Sequence, residues 1–331
     1  MSGHQGSIIL RLVNPVVRVV CQSAWRRYHD DLDAMRTFLD RAGAASGLLA
    51  PPAAGCRIVD GELDGLATRE FHPKHAQQGR AVLYLHGGGF MVYARSAYTG
   101  FLSRLANDLR ARVIVPAYRL APEHPFPAAI DDCLRAYEAL LDAGQEPGQL
   151  MIAGESAGAN ATLVTLQRAR DASTPMPAGA IMLSGGFDFS WTSPSIRTNA
   201  RRDVALGARG LAFFQRWYRP DLDATDPLIS PLFGDFAGLP PLLFQTGDTE
   251  VLRDDSVRAT ERARAAGVLV RLDVHPLAPH AWHQQTWLPE TRAALRQIGR
   301  FAKALNGWND QPEAVTAPLT PTAIHQPGST S

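Results

Sequence analysis

The sequence predicts an α/β fold, a mostly parallel sheet with helices on both faces. Two observations predict it. Continuous apolar runs recur at 81–86, 112–118, 150–155, 180–185, 241–247 and 270–276, and such runs suit strands buried on both sides. Helical patterns at 97–111, 127–144, 157–171 and 254–267 fall between most of them, and a last one follows at 289–305. That alternation is what parallel strands joined by crossover helices produce.

Taken in order, the chain opens with an apolar stretch at 7–25 that Arg11, Asn14, Pro15 and Arg18 interrupt. Neither a secretory core nor a membrane span suits that pattern. It reads as a partly amphipathic helix packed on the body, with a weak membrane-surface role left open. Segments 56–61 and 66–73, joined by "ELDG", read as an antiparallel hairpin with a Gly-containing turn. The strand–helix rhythm then runs until Asp188. From 188 to 237 there is helix but no convincing strand, and Trp191, Phe213, Phe214, Trp217 and Tyr218 make the interval unusually aromatic. An insertion over the mouth of the sheet fits better than another strand–helix unit. The stretch 307–331, rich in Pro, Thr and Ser, reads as a disordered tail.

Composition narrows the function. Of 331 residues, 45% are apolar and the formal net charge is +1, so no electrostatic footprint for nucleic acid exists. Three widely spaced cysteines, Cys21, Cys56 and Cys133, cannot form a disulfide framework and show no metal-ligand spacing. A reducing, cytoplasmic setting follows.

"GESAG", residues 154–158, lies directly between a strand and a helix. A sharp turn there strains the central residue, demands small neighbours, and presents the Ser156 hydroxyl at the sheet's C-terminal edge. The bland alternative is a serine that caps the helix starting at Ala157. A serine needs a base, and the base needs a carboxylate to orient it. In this topology the order is Ser, acid, His. "DTEVLRDD" follows one late strand and His275, His280 and His283 follow or end another. His280 lies deepest in the loop and is the expected base; His275 belongs to the strand and His283 reads as an ordinary polar residue. A three-histidine metal site is the competing reading, but no glutamate is spaced to complete it.

"HGGGF", residues 86–90, breaks a strand into glycines. A flexible turn would explain them. So would a need for bare N–H groups near a developing oxyanion, supplied by Gly88, Gly89 and Ala157. Phe90, Phe213, Phe214 and Trp217 are the candidate pocket residues, although the last three recur at helical spacing and could simply be core.

Together, "HGGGF", "YRLAPEHPFPAAIDD", "GESAGAN", "SPLFGDFAGLPPLLFQTGDTEVLRDD" and "PHAWH" resemble, in order, the blocks of the hormone-sensitive-lipase-like branch of the α/β-hydrolases, the bacterial family IV esterases. The likeness covers roughly residues 25 to 305. It implies an α/β-hydrolase sheet of about eight strands, with a core at 51–187 and 238–306. It also implies a cap made of the N-terminal helical segment, 1–50, and the 188–237 insertion. The implied activity is hydrolysis of short- to medium-chain carboxylic esters without cofactor or metal. The nucleophile falls on Ser156, the base on His280, and the oxyanion donors on Gly88, Gly89 and Ala157. The acid falls on Glu250, with Asp248 two residues upstream as the alternative, and Glu123 braces the oxyanion loop. The sequence departs from the family pattern at Glu155 and Ala159, at "SGGF" (184–187), and in the acid block.

The expected partner is a small-molecule ester, without nucleic acid or stable membrane insertion, and with a homodimer left open. A lactone hydrolase or aryl-amide deacetylase would use the same triad. A non-catalytic receptor on this fold is a remoter alternative, against which the retention of His280 argues.

Overall fold

The computed structural model describes residues 6–218 and 223–309. In chain order its regular elements are α1 (Ile8–Arg27), α2 (Leu32–Leu49), β1 (Cys56–Leu63), β2 (Leu66–Pro73), β3 (Ala81–Leu85), α3 (Thr99–Leu109), β4 (Arg112–Pro116), α4 (Ala128–Asp142), β5 (Leu150–Glu155) and α5 (Ala157–Asp171). There follow β6 (Gly179–Leu183), α6 (Ser195–Thr198), α7 (Gly207–Tyr218), β7 (Leu242–Gly247), α8 (Arg253–Ala265), β8 (Val270–His275) and α9 (Pro289–Lys303).

The strands form one sheet in the order β1-β2-β4-β3-β5-β6-β7-β8. Only β2 runs against its neighbours, β1 and β4; every pairing from β4 to β8 is parallel. The α/β-hydrolase sheet expected from the sequence is therefore the sheet observed.

Side chains alternate across the strands and so feed two cores. Leu83, Ile114, Ile152, Met182 and Phe244 meet α4, α5 and α8 through residues such as Ile130, Tyr137, Leu163, Leu166 and Ala259. Val82, Tyr84, Met151, Ile181 and Leu243 point the other way, onto Phe101, Leu105, Leu295, Ile298 and Phe301 of α3 and α9. A third, small cluster of Leu10, Ala278, Trp282 and Leu288 seats the start of α1.

The 188–237 segment contributes α6 and α7 and no strand among its described residues. α7 packs on α1: the Trp25 ring lies 5.6 Å from Phe213 and 5.7 Å from Phe214, and its indole nitrogen donates to the Ala205 carbonyl at 2.7 Å. One boundary needs correction. The predicted tail begins at 307, yet Trp308 is buried, with the Arg80 guanidinium 5.4 Å from its ring centre. A tryptophan that finds a cleft stays on the body despite polar neighbours. The rest of the predicted tail, from 310, lies outside the described residues.

Candidate active site

Ser156 sits between β5 and α5 with φ 55° and ψ −117°, in the half of conformational space that costs an L-residue strain. The strain is held by packing. A methyl at Gly154 would collide with the Gly158 carbonyl, and one at Gly158 with the Leu85 carbonyl of β3. The Ser156 N–H donates to the Leu183 carbonyl at 2.8 Å, tying the turn to β6. The side chain makes no capping bond to α5, so the capping explanation of this serine is not what the structure contains.

The other two side chains arrive from the ends of later strands. His280 follows β8, and its Nε2 lies 2.9 Å from Ser156 Oγ. Its Nδ1 lies 2.8 Å from Glu250 Oε2. Glu250, fully buried after β7, is fixed by its other oxygen, which accepts from the Gly247 N–H at 2.5 Å and the Ser184 hydroxyl at 3.0 Å. Asp248 goes elsewhere: it accepts from the Leu277 N–H at 2.7 Å and lies 3.5 Å from Arg202. Burial alone would push the His280 imidazolium down, but its hydrogen bond and charge attraction to Glu250, aided by Glu155, lift it to about 9. Burial raises the Glu250 carboxyl above its usual range, against the pull of His280.

The glycine loop faces the same point. Gly88 and Gly89 have φ 106° and 62°, and a side chain at either would strike Val92 or Phe214. Among the described residues, none accepts a hydrogen bond from the N–H groups of Gly88, Gly89 or Ala157. The loop is braced from behind by Arg36, which donates to the carbonyls of Met91 at 2.9 Å and Ala121 at 2.7 Å. The resemblance implies that Glu123 braces this loop, and it does so through Arg36. It is half-exposed and grips Arg36 at 2.6 and 2.7 Å, so it acts one residue removed.

A pocket enclosing about 420 Å³, counted to its open mouth, adjoins Ser156. Its apolar wall includes Phe189, Trp191, Leu206, Leu211, Phe214 and Leu252. Of the four aromatic residues read as pocket candidates, only Phe214 lines it. Helical periodicity is the reason: Leu211 and Phe214 share one face of α7, whereas Phe213 and Trp217 share another, their tilted rings 6.4 Å apart. Phe90 is buried against Tyr218, with ring centres 4.7 Å apart. Gly186, within the 184–187 departure, lines the pocket.

Two histidines do other work. His283 is fully buried, stacked 3.7 Å from Trp282 and 3.2 Å from Gln245, and burial holds it well below the usual imidazole range. The ordinary polar residue read from the sequence is a fully buried core residue. His275 packs 5.1 Å from Trp282. No cluster of His, Cys, Asp or Glu that could hold a metal occurs among the described residues.

Sequence reading gave little weight to Glu155. The structure buries it completely, behind the site. Its Oε2 accepts from the Tyr98 hydroxyl at 2.8 Å and Gln284 at 3.3 Å, and its Oε1 lies 3.8 Å from His280 Nε2. Burial raises this carboxyl above its usual range. The sequence signals were a charged residue ending an otherwise apolar strand and the departure from the family pattern at this position.

This is the architecture of an ester hydrolase of the α/β class, and comparison with known proteins agrees. The model of a family with the alpha/beta hydrolase fold matches residues 82–284, and the chain belongs to that family, among the bacterial hormone-sensitive-lipase-like esterases. An acetyl-hydrolase of Streptomyces hygroscopicus is 36% identical over 293 residues, spanning 88% of this chain and 96% of that relative. An esterase of Acinetobacter venetianus is 36% identical over 236 residues, spanning 70% of this chain and 77% of its own. The crystal structure of an esterase from the bacterial hormone-sensitive lipase family superposes with a TM-score of 0.82 at 32% identity, covering 91% of this chain and 98% of that one. The protein is an esterase.

Proposed function

We propose that the protein hydrolyses short- to medium-chain carboxylic esters through an acyl-enzyme, with Ser156 as nucleophile, His280 as base and Glu250 as orienting acid. The observation that carries this reading is the unbroken relay from Ser156 Oγ to His280 Nε2 at 2.9 Å and from Nδ1 to Glu250 at 2.8 Å. His280 takes the hydroxyl proton as Oγ attacks the ester carbonyl, and then delivers it to the departing alcohol. Glu250 holds the ring with Nδ1 protonated, leaving Nε2 free to accept, and stabilises the imidazolium that forms. Water, deprotonated by the same His280, then attacks the acyl-enzyme and frees the acid.

Charge that builds on the carbonyl oxygen is met by the N–H groups of Gly88, Gly89 and Ala157. Each preorganised donor lowers the barrier by about 3 kcal/mol. The apolar pocket wall suits an acyl or alcohol chain, and its closure by Phe214 against Gly89 favours a short one. The acetyl-hydrolase name of the Streptomyces relative points the same way.

The test is a chain-length series of p-nitrophenyl esters combined with phosphonate labelling. Turnover should peak among the short and medium acyl chains, and the covalent adduct should map to Ser156. An adduct on another residue would remove Ser156 from the role.

A further inference from the structure

Helix α1 has two faces, and only one is used by the fold. Leu10, Ala24 and Trp25 are its buried residues. On the opposite side Ile8, Leu12, Val16 and Val19 are 74, 71, 62 and 66% exposed, and Ile9 and Val20 widen the strip. The spacing i, i+4, i+8, i+11 makes this one continuous apolar stripe along the helix, facing solvent.

Charge says what covers the stripe. α1 carries Arg11, Arg18, Arg26 and Arg27 and no acidic residue. Arg18 donates to the carbonyls of Arg201 at 2.7 Å and Arg202 at 3.3 Å; Arg201 is exposed beside this flank, whereas the Arg202 side chain faces Asp248 at 3.5 Å. The acids beside the helix are engaged: Glu290 by Ser7, Asp203 by the N–H groups of Ala205, Leu206 and Val251, and Asp30 by His29 and Arg216. A second copy of the chain docked through this helix would set arginine against arginine. A basic flank beside an apolar stripe complements an anionic lipid headgroup layer instead.

We propose that α1 seats the protein on an anionic phospholipid surface, lying flat with Ile8, Leu12, Val16 and Val19 in the headgroup–acyl boundary. The helix is long and apolar enough to span a bilayer, but its polar ties to the body oppose that. Ser7 donates to Glu290 through its N–H at 2.8 Å, Asn14 donates to the Leu277 carbonyl at 2.9 Å, and Trp25 donates to Ala205 at 2.7 Å. A span would break all three. Lying flat keeps them, and keeps Trp25 on Phe214, one of the aromatic residues lining the ester pocket. The seat is thus the outer side of the layer that roofs the site.

Cosedimentation of the full chain with vesicles tests this. The protein should pellet with phosphatidylcholine vesicles containing phosphatidylglycerol, far less with phosphatidylcholine alone, and less as salt rises. The triple variant Leu12→Asp/Val16→Asp/Val19→Asp should lose about tenfold or more in partitioning. Its melting temperature and its turnover of a soluble ester should stay unchanged. Arg11→Gln/Arg26→Gln should weaken binding by roughly fivefold per arginine on the anionic vesicles alone. The single variant Val19→Asp repeats the test should the triple variant fold poorly. Equal pelleting of wild type and folded variant overturns the proposal. So does a wild-type dimer that the variant converts to monomer, which would give the face to a second copy. So does protein that resists alkaline extraction from the vesicles, which would mean a span.

Discussion

Glu155 Oε1 lies 3.8 Å from His280 Nε2, the ring nitrogen that faces Ser156. His280 therefore sits between two buried carboxylates, with Glu250 on its Nδ1 side. Two negative neighbours favour the imidazolium, and the ring is lifted to about 9. A base must be unprotonated to act, so kcat/KM should rise with pH through that region, well above an ordinary imidazole's 6.5. Glu155→Gln keeps the shape and removes one charge. The midpoint of the rise should then move down toward neutrality, while Glu155→Asp should retain much of the alkaline position. A midpoint that ignores both variants would make Glu155 purely structural.

Ser156→Ala should cost on the order of a millionfold in turnover, with an unchanged melting temperature. Removing the hydroxyl leaves every packing contact of the turn in place. Residual activity near wild type would move the nucleophile elsewhere.

Glu250→Gln should cost on the order of ten-thousandfold, because the amide can hold the wrong imidazole tautomer. Asp248→Asn should leave most activity, since that carboxylate serves the Leu277 N–H. Turnover at neutral pH by the two folded variants, compared side by side, decides the assignment; the opposite ranking gives the role to Asp248.

Phe214 and Phe213 are neighbours with opposite expectations. Phe214→Ala removes one of the pocket's three aromatic side chains, the one against Gly89, and the preferred acyl chain should lengthen, at about 1–3 kcal/mol of discrimination per methylene. Phe213 is buried against Trp25, so Phe213→Ala should cost about 3–5 kcal/mol of stability and leave the chain-length profile alone. Thermal melts and a p-nitrophenyl series on both variants provide the comparison.

Asp255 accepts from the N–H groups of Phe187 at 2.7 Å and Asp188 at 3.0 Å, where the chain leaves the sheet for the insertion. Burial pushes this carboxyl up from 3.8 to about 7. The fold thus favours the neutral form, and the wild type should lose stability as pH climbs through that window. Asp255→Asn does not titrate. Its melting temperature relative to wild type should increase from pH 4 to about 7 and then level off. A difference independent of pH would refute the neutral-acid reading.

The sheet was legible because its signal is local: each buried strand is an apolar run, and each crossover helix has its own period. Ser156 and the glycines were legible for the same reason, since a strained turn needs small residues within two positions. The pocket was not. Phe213 and Phe214 are adjacent in sequence, and only the direction in which α7 lies tells which one meets the substrate side. Glu123 and Arg36 lie 87 positions apart, so no spacing rule could show that the brace passes through an arginine of α2. Glu155 was legible as a departure from the nucleophile motif, but not its approach to His280, which arrives from another strand.

Nucleophile and base hang from strands of unequal security. β5 is buried along its whole length at the centre of the sheet, whereas β8 is the outer parallel strand and is only partly covered. Peripheral strands open at lower free energy than central ones. Mild denaturant should therefore withdraw His280 while Ser156 still stands in its turn. Catalysis would fade ahead of the far-ultraviolet circular dichroism signal, and dilution would restore it faster than refolding from the fully denatured chain. The enzyme's first failure is then a detached base on an otherwise native body, and the esterase assay becomes the most sensitive gauge of that edge coming loose.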